Sequence, residues 1–160
     1  MTANTWSTMV VTPNSILAGG SLAYDGSGSI YAFEGAGINA FWKYTISSNT
    51  WSTMAVTPGG VSGGGSLAYD GSGNIYAFRG NNTTDFWKYT ISTNTWSVMT
   101  VAPGAVYAGG SLAYDGSGNI YAFGGNYTDA FWKYTISSNT WSTMAVAPAA
   151  VGDGGSLAYD

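Results

Sequence analysis

"SLAYDGSGNIYAF" fills Ser66–Phe78 and returns unchanged at Ser111–Phe123. A near-copy, "SLAYDGSGSIYAF", fills Ser21–Phe33, and "SLAYD" opens again at Ser156. Each copy begins 45 residues after the one before. The phrase reads as two short strands around a reversal. "SLAYD" and "NIYAF" carry the aromatic and aliphatic residues of strands. "DGSG" between them supplies glycines for positive φ and an Asp able to bond nearby amides. In "IYAF" both alternating faces are apolar, as expected of a strand covered on both sides.

Working outward, a variable Gly/Asn-rich stretch leads to a third strand, "FWKYTI". The turn "SSNT" or "STNT" leads to a fourth, "WSTM", and a Pro/Gly-rich connector returns to the next "SLAYD". Trp6, Trp51, Trp96 and Trp141 keep the same interval, as do Pro13, Pro58, Pro103 and Pro148. The units Trp51–Thr95 and Trp96–Thr140 differ at 11 of 45 positions, without insertion or deletion. Such regularity points to recent amplification of one unit or to engineering. No segment shows a sustained helical period. Four strands in a unit of this length predict an all-β β-propeller built of four-stranded antiparallel blades.

The strand count predicts about 3.5 blades in a single array over 1–160. A lone fourth strand is expected at 4–12, blades at about 21–54, 66–99 and 111–144, and a lone first strand at 156–160. Propellers close with about 4–8 blades, and an unclosed row exposes the apolar face of each end blade. A head-to-tail homo-oligomer, a dimer above all, is the simplest closure. A strict twofold ring would hold six full blades and two incomplete slots. The alternative reading is a truncated piece of a longer propeller.

Composition narrows the function classes. The chain of 160 residues is 45% hydrophobic and 16% aromatic, so it can bury a core, yet only 8% of its residues are charged. The net charge of −4 leaves no basic patch for nucleic acid or for an anionic membrane surface. Neither His nor Cys occurs, which removes disulfides, thiolate chemistry, the commonest transition-metal ligand and the commonest general base. No cofactor or metal is expected. No apolar run reaches transmembrane length.

The repeat resembles the kelch family. That pattern has an apolar run ending in Gly-Gly, then Tyr, then Trp after six intervening residues. Here it stands as "YAFGG" at Tyr121–Gly125, followed by Tyr134 and Trp141. Tyr44/Trp51 and Tyr89/Trp96 keep the spacing, while Glu34-Gly35 and Arg79-Gly80 break the double glycine. The resemblance implies propeller blades. Copper chemistry found in kelch-like relatives uses His and Cys, so it is not implied here.

In an up-and-down blade, "DGSG" and "SSNT" share one face. The stretches that differ between units share the other: 36–40, 83–85 and 127–130, with the connectors 14–18, 59–63, 104–108 and 149–153. Any binding site is expected there, since loops on a rigid scaffold commonly carry function. Solvent-exposed drift explains the same variation. Tyr107 and Tyr127 each occur in one unit only. Beside Asn126 and Asp129, an exposed Tyr could stack on a sugar and bond its hydroxyls. Arg79 and Asp85 complete the candidate ligand-binding set. "YDGSGN" alternates oxygen donors at Asp70, Ser72 and Asn74 but lacks the later Glu of a calcium loop, and a hairpin turn accounts for it. The repeated aromatics Tyr31, Phe33, Trp42 and Trp51 are expected to pack between blades.

No catalytic constellation stands out. The expected function is a non-enzymatic scaffold that assembles with itself into a closed ring. The alternative is a binding module for a glycan or protein on the variable-loop face.

Overall fold

The computed structural model describes residues 5–160. The first blade comprises β1 (Leu22–Tyr24), β2 (Ser29–Phe33), β3 (Phe41–Thr45) and β4 (Thr50–Thr53). The second comprises β5 (Ser66–Tyr69), β6 (Asn74–Phe78), β7 (Phe86–Thr90) and β8 (Thr95–Val98). The third comprises β9 (Ser111–Tyr114), β10 (Asn119–Phe123), β11 (Phe131–Thr135) and β12 (Thr140–Thr143). Each is an antiparallel sheet in simple sequential order, and register repeats from blade to blade: Ala32 faces Trp42 as Ala77 faces Trp87 and Ala122 faces Trp132. Among the described residues there is no helix.

The predicted half-blades are corrected. Residue 4 lies outside the described residues, and residues 5–12 form no strand. Residues 156–160 form none either, although the Leu157 N–H donates to Ser111 Oγ at 3.0 Å. That bond copies Leu67 to Ser21 and Leu112 to Ser66, which tie each innermost strand to the next. Both flanking segments therefore sit beside a blade without a sheet partner. A ladder needs neighbouring middle strands, and among the described residues neither segment has them beside it.

Side-chain alternation makes the core. Ile75, Ala77, Trp87 and Tyr89 of the second blade pack toward the first, joining Tyr31, Phe33 and Phe41. Tyr76, Phe78 and Phe86 of the same sheet pack the other way, joining Ile120, Trp132 and Tyr134 of the third. This explains why neither face of "IYAF" is polar. The aromatic contacts repeat across both junctions: Phe41 meets Tyr89 just as Phe86 meets Tyr134, with ring centroids 4.9 and 4.8 Å apart. Tyr134 is fully buried, and burial pushes its hydroxyl up to about 12.

Candidate functional site

The turns are fixed by side chains that bond backbone. Asp115 Oδ1 accepts the N–H groups of Ser117 and Asn119, and Oδ2 accepts Asn119 Nδ2. Burial opposes its charge, but these bonds outweigh burial and hold the carboxyl at about 2. Asp70 is held alike by Ser72 and Asn74. The Asp70 carboxylate and the Asn74 side chain, two of the three oxygen groups that alternate in "YDGSGN", are thus engaged within the hairpin and its neighbouring strand.

The variable stretches do share one face. Their contacts are made by backbone: Ala36, Asn81 and Asn126 donate N–H to the carbonyls of Ala18, Gly63 and Ala108. Gly37, Asn82 and Tyr127 donate to Val61, Val106 and Val151. Side chains at these positions differ because the bonds do not use them, within the limit that all six donors take positive φ. The second glycine of each pair is the exception. Gly35, Gly80 and Gly125 all have positive φ. A Cβ on Gly35 or Gly125 would fall 2.6 or 2.5 Å from the Ala18 or Ala108 carbonyl oxygen. Glu34 and Arg79 stand at the first position in two blades, whereas a Cβ on Gly124 in the third would meet the Trp132 ring at 2.8 Å.

The sequence candidates divide into separate groups. Arg79 Nη1 pairs with Asp85 Oδ2 at 2.8 Å, and Arg79 Nε donates to the Gly60 carbonyl. These two charges answer each other within one blade. Asn126 and Tyr127 both take positive φ, and Tyr127 stays 69% exposed with its ring over Gly152. The Asp129 carbonyl accepts the Ala147 N–H, which anchors a connector. Tyr107 lines a hollow of about 390 Å³ with Asp153 and the glycine-rich connectors of all three blades.

A second surface comes from the end faces. An apolar hollow of about 610 Å³ opens on the first blade, walled by Met9, Val10 and Ile16 and floored by Ile30, Phe33, Tyr44 and Trp51. The equivalent place on the second blade is filled by Phe33 and Phe41 of the first, which meet Trp96 at 6.2 and 4.9 Å. At the far end, Tyr121, Phe123 and Phe131 repeat the positions of Tyr31, Phe33 and Phe41. They are partly exposed, whereas the first-blade copies are 2%, 0% and 0% exposed. Sequence reasoning anticipated apolar end faces, but it expected Trp51 to pack between blades, and Trp51 instead lines the open hollow of the first blade, because no blade covers that face among the described residues. The signal was there, in the residues one repeat away from each interlocking pair.

Three four-stranded antiparallel blades stacked side by side define a β-propeller-like array. No protein-family model matches the chain, and no curated protein matches it. Among solved structures it is similar to the structure of YjhT, with a TM-score of 0.70 and 21% identity. The match covers 86% of this chain and 52% of that one, so the chain spans about half the length of this structural neighbour. At that identity the likeness shows the fold.

Proposed function

We propose that the chain is a non-enzymatic, kelch-like repeat scaffold that closes a β-propeller ring with a second copy of itself. One observation carries this reading. The end faces are copies of the two surfaces that interlock at the internal junctions, with Tyr121, Phe123 and Phe131 as the plug and Tyr44 and Trp51 in the socket. The contact is heterologous, and such contacts form rings when the rotation closes. Length supports a ring of two, since one copy matches about half of a single YjhT chain.

The test is the mass of the 160-residue chain by light scattering behind size exclusion at several concentrations. A sharp species at twice 16.6 kDa is expected. A monomer at every concentration, or an unbounded ladder, overturns the reading.

A second reading, a binding module for carbohydrate, is favoured by the hollow beside Tyr107 and Asp153. A glycan-panel signal lost in Tyr107→Ala and Tyr127→Ala supports it. Absence of any signal from the unaltered chain removes it.

A further inference from the structure

The hollow on the first blade is walled by Met9, Val10 and Ile16. Val10 donates its N–H to Asn49 Oδ1 at 3.0 Å, and Trp51 Nε1 donates to the Val10 carbonyl at 3.4 Å. At the next junction Ala55 is gripped in the same way by Asn94 and Trp96, at 2.9 and 3.0 Å. Ala55, however, arrives from the strand β4 of the blade before. The Asn–Trp pair is therefore a clamp for an incoming connector, and on the first blade the chain's own N-terminal segment fills it.

Three repeat intervals later, Met144–Val151 has the same phase as Met9–Ile16. Among the described residues the Ala145 N–H meets no such clamp. In a ring, Ala145 of one copy and Val10 of the next must compete for one Asn49–Trp51 pair. The bridges decide between them. Val61 and Val106 are fully buried, and each is bridged to the blade before it, to Ile38 and Thr83. Val151 already has that bridge, to Thr128. Ile16 holds the same register position, is 44% exposed and has no bridge among the described residues. Val151 carries the repeating bridge and Ile16 does not, so Met144–Val151 completes the pattern of the internal junctions and Met9–Ile16 does not.

We infer that, in the assembled ring, Met144–Val151 of one copy displaces Met9–Ile16 from the clamp of the next, so that the N-terminal segment is a self-plug that restrains assembly. This rests on the ring reading above. A copy with its clamp occupied by itself is not competent to bind, and apparent affinity falls by the competent fraction.

Two single substitutions separate the roles. Val10→Pro removes the N–H that holds the self-plug, at a position outside every strand. Ala145→Pro removes the N–H that the second copy would present. Losing one hydrogen bond changes an equilibrium about fivefold, so dimer affinity should rise about fivefold in Val10→Pro and fall about fivefold in Ala145→Pro. Association is read by sedimentation over a concentration series. Ile16→Ser loosens the same wall by a different route and should also tighten the dimer. If the unaltered chain dimerises while Val10→Pro and Ile16→Ser dimerise equally or less well, the self-plug is wrong and the ring stands. If the unaltered chain never associates, the ring reading falls and takes this inference with it.

Discussion

Phe41 of the first blade meets Trp96 of the second edge-on, with ring centroids 4.9 Å apart and planes at 64°. Phe86 and Trp141 repeat the contact at 4.9 Å and 65°. Phe131 holds the third equivalent position and is partly exposed. The same substitution should therefore do two different things. Phe86→Ala opens a cavity inside the array and should destabilise it by about 3–5 kcal/mol. Phe131→Ala should cost less than about 1 kcal/mol in the monomer, yet weaken association. Urea midpoints and light scattering on both variants check the pair. Equal loss of stability would mean that Phe131 is a core residue, not an interface residue.

Trp87 is 3% exposed and lies in the cluster shared by the first two blades. Trp87→Ala should lower stability by about 3–5 kcal/mol, because a stacked array cannot collapse easily around a missing indole. Chemical unfolding measures this. A negligible shift in the midpoint would put the inter-blade packing in doubt.

Asn94 joins three elements. At φ 53° its side chain accepts both the buried Tyr89 hydroxyl and the Ala55 N–H. Asn94→Gly keeps the backbone conformation and loses both bonds. It should cost about 1–3 kcal/mol, the cost of leaving a buried donor unsatisfied. Asn94→Ala should cost more, since it adds left-handed strain. If the two variants are equally stable, the side-chain bonds dominate and strain contributes little.

Asp115 has a folded pKa of about 2, below its ordinary value of 3.8. A carboxyl depressed on folding stabilises the native state fully above its unfolded pKa. That contribution is lost as pH falls from about 4 toward about 2. Hydrogen bonds to Ser27 and Ser29 outweigh burial at Asp25 and shift it in the same direction. Thermal midpoints should therefore drop across this window, and Asp115→Asn should flatten part of the drop. An unchanged slope in the variant would show that Asp115 is not among the groups responsible.

The repeat interval, the turn chemistry of "DGSG" and the two-sided apolar strands were enough to read the blades. The ranges expected at 21–54, 66–99 and 111–144 enclose the sheets found at Leu22–Thr53, Ser66–Val98 and Ser111–Thr143. Local pattern determines a strand when its partners lie a few residues away. It does not determine one when the partners are absent, so the identical words "TWSTM" and "SLAYD" form strands inside the array and none at 5–12 and 156–160.

The candidate site was less legible for the same reason. Arg79 and Asp85 are six positions apart in the chain, but their ion pair depends on how the loop between β6 and β7 folds. The clamp of Asn49 and Trp51 on Val10 spans 39 residues and more, and only the stacking of blades brings its parts together. Short-range periodicity thus settles what each blade is. Which copy of a repeated surface is buried and which is left open is decided by long-range contact, because identical residues acquire different surroundings at the middle and at the ends of the array.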